Sequence, residues 1–123
     1  MKTFMLLLSG CILMTACKNE QAPAPATGAI DCSVAKITTA YVFGVVQANC
    51  TDRKCHPGGN SPVIADFSTT DKLKGYISTQ RAIFLLRVTS PQADMPQSQL
   101  FPALSRGMRD SIACWVGHGM PDQ

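Results

Sequence analysis

The chain has 123 residues, a formal charge of +3, 46% hydrophobic residues and 15% charged ones. That length allows one domain, and the lack of any basic run removes the electrostatic footprint that nucleic-acid binding requires. A charged fraction of 15% is low beside the ~25% of ordinary soluble domains, as a bound apolar group or a covered surface would explain.

Lys2 and the apolar run from Phe4 to Ala16 read as the charged and hydrophobic regions of an export signal. The run falls short of the ~20 residues of a membrane-spanning helix. It ends in Leu13-Met14-Thr15-Ala16-Cys17, which resembles a bacterial lipoprotein signal with Cys17 as the lipidated first residue of the mature chain. Leu8-Ser9-Gly10-Cys11 matches the consensus wording more closely, but cleavage there leaves fewer than the ~7 apolar residues that such a signal needs. A plain secretory signal cleaved nearby is the alternative. The expected organisation is therefore a signal over 1–16, lipidated Cys17 with an Ala/Pro tether over 17–30, and one domain over 31–123. Loss of Lys2 alone among the charged residues lowers the charge to +2. The implied location is a bacterial membrane, on its periplasmic side or at the cell surface.

Ser33 is a fitting N-cap for a helix over Val34–Gln47, in which Val34, Ile37, Tyr41, Val42, Val45 and Val46 follow a helical spacing. Gly44 inside it costs ~1 kcal/mol relative to Ala, with close approach of another helix and simple tolerance as the two readings. The helix delivers the chain into Cys50-Thr51-Asp52-Arg53-Lys54-Cys55-His56. Two cysteines with His directly after the second form the signature of covalent c-type haem attachment, with thioethers to the vinyl groups and His as proximal iron ligand. The usual gap is ~2 residues; here it is four. Helical positions five apart point away from each other at ~3.6 residues per turn. Asp52, Arg53 and Lys54 must then bulge outward, unburied, if both sulfurs are to reach one porphyrin edge. A small Cys50–Cys55 disulfide, a zinc site completed by a fourth ligand, and unrelated thiols are the alternatives.

Once Cys11 leaves with the signal and Cys17 carries lipid, Cys32, Cys50, Cys55 and Cys114 remain, with three possible connectivities. Assigning Cys50 and Cys55 to haem leaves Cys32 to pair with Cys114. That bridge closes a long loop and is worth about 4 kcal/mol in the chain-entropy model.

Pro57 to Pro62 is turn-rich, and Ser68-Thr69-Thr70-Asp71 carries a helix start signal. Helices are expected over Thr69–Ser78 and Gln80–Val88, the second with Ile83, Phe84, Leu85 and Leu86 in the core. Thr89 to Gln97 is a loop by composition, and it holds Met95, whose thioether is a common sixth ligand of His-bound haem. Ordinary packing is the alternative for Met95. Ser105 caps a last helix over Arg106–Val116, with Met108, Ile112, Trp115 and Val116 on its core face and Gly117 and Gly119 at its end. Met120 and His118 are the minor alternatives to Met95.

The order of these parts resembles a known family. Val42-Phe43-Gly44-Val45-Val46-Gln47-Ala48-Asn49-Cys50 leads into the Cys/His motif, and a Gly-rich turn, a Met-Pro loop and Cys114-Trp115-Val116-Gly117-His118-Gly119 follow. Over about residues 31–121 this is similar to the small class I cytochrome c domains of exported bacterial proteins, notably Bacteroidetes-type lipoproteins. The resemblance implies an all-α domain of three to four helices with crossed N- and C-terminal helices around one haem. It implies Cys50 and Cys55 as anchors, His56 as proximal and Met95 as distal ligand. The chain departs from the family pattern in its Cys spacing and in its closing His118-Gly119-Met120-Pro121.

The expected function is a membrane-anchored monohaem carrier of single electrons between transient redox partner proteins. A haem-free, disulfide-stabilised binding or structural module is the second expectation, and a haem enzyme or gas sensor with an open sixth position the third. No nucleophile constellation, paired carboxylates or phosphate loop points to transfer or hydrolytic chemistry, so an enzyme is not expected.

Overall fold

The computed structural model describes residues 30–60, 65–96 and 101–123. The expected signal over 1–16, Cys17 and all of the tether up to residue 29 lie outside the described residues. Within them the chain is all-α: α1 (Thr39–Val46), α2 (Thr70–Phe84) and α3 (Arg106–Gly117), with π-helical turns continuing α1 over Gln47–Thr51 and α2 over Leu85–Thr89. No described helix is long and apolar enough to cross a membrane.

α1 begins later than the periodicity predicts. Ser33 does not cap it, because its amide and hydroxyl both donate to Asp31 Oδ1, at 2.9 and 2.6 Å. Ala35 N–H closes the same turn on the Asp31 carbonyl at 3.0 Å. Thr38 is the cap, extended at φ −97° and ψ 156° and accepting from Tyr41 N. The β-branched run Ile37-Thr38-Thr39 resists early helix entry. Val34 and Tyr41 are consequently exposed, whereas Val42 and Val46 are buried. A Cβ built on Gly44 meets nothing within 4 Å, so no helix approaches closely there.

The two helices expected over Thr69–Ser78 and Gln80–Val88 are one helix bent at Gln80, which has φ −126° and ψ 34°. The hydroxyls of Ser78 and Thr79 donate back to the carbonyls of Lys74 and Gly75, at 2.8 and 3.2 Å. Such back-bonding bends helices. Of the apolar run beyond the bend, Phe84 is buried but Ile83 and Leu86 are exposed.

α3 starts at its expected cap, with Ser105 Oγ accepting from Met108 N at 3.2 Å. It ends in a Schellman arrangement: Gly119 N–H donates to Val116 O and Met120 N–H to Trp115 O, with Gly119 at φ +81°. Glycine suits that left-handed position at no steric cost. Met108 lies exposed rather than on the core face. It sits in the first turn of α3, before the helix enters the core.

α1 and α3 pack on each other, and α3 also meets the π-helical turn after α2. Trp115, fully buried, donates from Nε1 to Thr39 Oγ1 at 3.2 Å and to the Pro121 carbonyl at 3.1 Å. Pro121 O also accepts from Thr39 N at 3.0 Å and Thr39 Oγ1 at 2.8 Å. Beside this junction Cys32 and Cys114 form the disulfide, spanning 82 residues with Cα atoms 5.2 Å apart. Val42, Val46, Leu73, Ile77, Phe84, Ile112 and Val116 fill the core around it.

Candidate functional site

The heptapeptide from Cys50 to His56 is built on the π-helical end of α1. Asp52 N–H donates to Gln47 O at 2.8 Å and Lys54 N–H to Thr51 O at 2.8 Å, with Lys54 at φ +62°. The carbonyl of Cys50 then accepts from both Cys55 N, at 3.3 Å, and His56 N, at 3.0 Å. Residues 52–54 are thus a bulge closed at its base by Cys50, as the four-residue gap requires. Asp52 and Lys54 are exposed, but Arg53 is not the solvated residue expected. Its guanidinium lies 4.5 Å over the Phe101 ring, and its Nη1 is buried with no hydrogen-bond partner.

His56 is held on two sides. Its Nδ1 lies 2.9 Å from the Ala65 carbonyl, and a carbonyl only accepts, so Nδ1 carries the proton. In the neutral ring Nε2 then holds the lone pair. The imidazole stacks on Phe67 with centroids 4.7 Å apart and planes 24° from parallel. Phe67 N–H in turn donates to His56 O at 3.0 Å, and Gln47 Nε2 donates to Phe67 O at 3.0 Å. Phe67 also meets Tyr76 and Phe84 edge-on. The turn that brings residues 65–67 back to His56 uses Gly58 at φ +73°, where a Cβ would collide with the Asp66 carboxylate.

Met95 arrives on the loop after α2. Its N–H donates to Arg87 O at 2.9 Å, and a cis peptide joins it to Pro96. Asp94 accepts from Arg87 Nε at 3.0 Å and Nη2 at 2.9 Å. The Arg87 guanidinium is accordingly held above the usual arginine range, and Asp94 below the usual carboxylate range, chiefly by that hydrogen bonding.

These segments surround a cavity of about 310 Å³, and Cys50, Cys55, His56 and Met95 all line it. Val46, Phe67, Phe84, Val88, Leu104 and Ile112 supply apolar wall, with Lys54 and Arg87 among the lining cations. Neither Met120 nor His118 is among the lining residues. Burial, then the nearby Cys55, push the Cys50 thiol up to about 11 against the opposing pull of Arg53. Among the described residues, no group of three or more His, Cys, Asp or Glu side chains is gathered to hold a metal ion.

The sequence reading missed Phe67, Arg53, Phe101 and the Ala65 carbonyl. A backbone carbonyl leaves no mark in sequence, and Phe67 is separated from the motif by a turn of unknown path. No protein-family model, curated protein or solved structure matches the chain.

Proposed function

We propose that this chain is a monohaem c-type cytochrome that carries single electrons, exported and anchored through lipidated Cys17 at a bacterial membrane. One observation carries the reading: Cys50, Cys55, His56 and Met95 line a single apolar cavity, although they lie as far as 45 positions apart in the chain. The residues present fit haem c. Two thiols that line one cavity suit the two vinyl groups of one ligand. Apolar walls suit the macrocycle, and Lys54 among the lining residues suits a carboxylate on it. The packing of α1 on α3 is in keeping with the crossed terminal helices of the class I cytochrome c fold.

When bound, haem c supplies a one-electron Fe(III)/Fe(II) couple. His56 offers Nε2 because Nδ1 is committed to Ala65 O, a partner that fixes ring orientation and raises ligand basicity. Phe67 keeps the imidazole from rotating. Met95 would hold the iron through its thioether together with His56, as suits a carrier rather than an enzyme with an open site. Phe84, Val88, Leu104 and Ile112 exclude water from the same cavity. Redox partner proteins would dock transiently through a small interface.

The test is expression alongside cytochrome c maturation machinery, a denaturing gel stained for haem, and a reduced pyridine haemochrome spectrum. Covalent haem lost in Cys50→Ala and Cys55→Ala supports the reading. A colourless protein beside a working positive control overturns it, and a Cys50–Cys55 disulfide found by peptide mass would then favour the haem-free module.

A further inference from the structure

Arg87 grips two consecutive residues of the Met95 loop in two different ways. Its carbonyl takes Met95 N–H at 2.9 Å, and its guanidinium takes the Asp94 carboxylate in a fork, at 3.0 Å through Nε and 2.9 Å through Nη2. The carbonyl belongs to the π-helical turn Leu85–Thr89. The loop between is itself tied: Ala93 N–H donates to Ser90 O at 3.0 Å, and Arg109 Nη1 donates to Ser90 O at 3.1 Å. Met95 therefore leaves a fixed base, and the residue before it is locked to the same Arg87 whose side chain lines the cavity.

We propose that the Arg87–Asp94 pair is a clamp that positions Met95 against the cavity, so that Arg87 and Asp94 govern how firmly the thioether is held rather than how stable the fold is. This rests on the haem reading above. Both side chains are about half exposed, and an exposed pair adds little to global stability. Its forked geometry nevertheless fixes direction, and it acts on Asp94 in a loop of six residues, 90–95, between the π-helical turn and Pro96. Lysine keeps the charge at position 87 but cannot make the fork.

The experiment uses the haem-loaded protein and reads the thioether-to-Fe(III) charge-transfer band and the affinity of ferric protein for added imidazole, which competes with Met95. Met95→Ala sets the reference and should abolish the band. Arg87→Ala and Asp94→Ala should each weaken the band and tighten imidazole binding about two- to fivefold, the range of an exposed ion pair. The double variant should be no worse than either single one, as for two ends of one interaction. Arg87→Lys should recover only part of the difference, and high salt should move the unmodified protein toward the variants. Unchanged band and imidazole affinity in both alanine variants, with helical circular dichroism intact, overturns the clamp while leaving the haem reading standing. A band that survives Met95→Ala overturns Met95 as ligand and the clamp with it, and failure to load haem at all removes both readings.

Discussion

The two ends of this small domain are built on opposite principles. At one end α1 and α3 close on each other through Trp115, Thr39 and the Pro121 carbonyl, beside the Cys32–Cys114 disulfide. At the other, both α1 and α2 run into π-helical turns, and the side chains spread around a cavity of about 310 Å³. π-Helical turns widen a helix at the cost of poorer geometry and recur at functional sites. The difference teaches that closure and cavity are spatially separated here: one end is closed by buried contacts and a crosslink, which leaves the other free to stay open.

The sharpest way to break that comparison is Trp115→Ala, which removes the largest fully buried side chain and should cost about 3–5 kcal/mol. Urea unfolding measures it, and a cost below about 1 kcal/mol, an ordinary surface value, would mean that the closed end does not hold the fold. Replacing Cys32 and Cys114 together by Ser should cost about 2–4 kcal/mol, read in the same titration. Gly44→Ala sharpens the comparison from outside either end. Gly44 lies in α1 with open space at its Cβ position, so the change should stabilise by ~1 kcal/mol, about 4–8 °C in Tm for a domain of this size.

The smallest effect belongs to Asp66, beside the cavity wall. Hydrogen bonds from Lys72 and Ser68 hold its carboxyl down to about 2 from an ordinary 3.8. A lowered folded value means that the contribution is complete above the unfolded value and disappears as pH falls from about 4 toward 2. Asp66→Asn should therefore lower Tm near neutral pH and leave it unchanged near about pH 2. An equal loss at both pH values would show that the carboxylate charge contributes nothing.

Much of the fold was legible in order. Ser105 and the span of α3, and Thr69 at the start of α2, follow from capping chemistry, which acts over three or four residues, whereas the two helices expected over Thr69–Ser78 and Gln80–Val88 are one bent helix. Counting cysteines left three connectivities, and the pairing of Cys32 with Cys114, as the structure has it, followed only from assigning Cys50 and Cys55 to haem. The start of α1 was misplaced because Ser33 and Thr38 are both good caps by type, and only the turn closed on Asp31 consumes the first. Ile83, Leu86 and Met108 were assigned inward on hydrophobicity, yet burial depends on which face a neighbour covers, and a bend or a helix end changes that.

For the candidate site, the sequence by itself determined the chemistry: two thiols and an imidazole within seven residues, and a thioether on a Pro-bounded loop, because residue type and local spacing fix what groups are present and which can bulge. Only the tertiary structure decided that Met95, and not Met120 or His118, lines the same cavity, and that the Ala65 carbonyl accepts a hydrogen bond from His56 Nδ1. The physical reason is that such meetings depend on the path of turns and on helix packing between distant segments, and backbone carbonyls are alike at every position until the fold aims one of them.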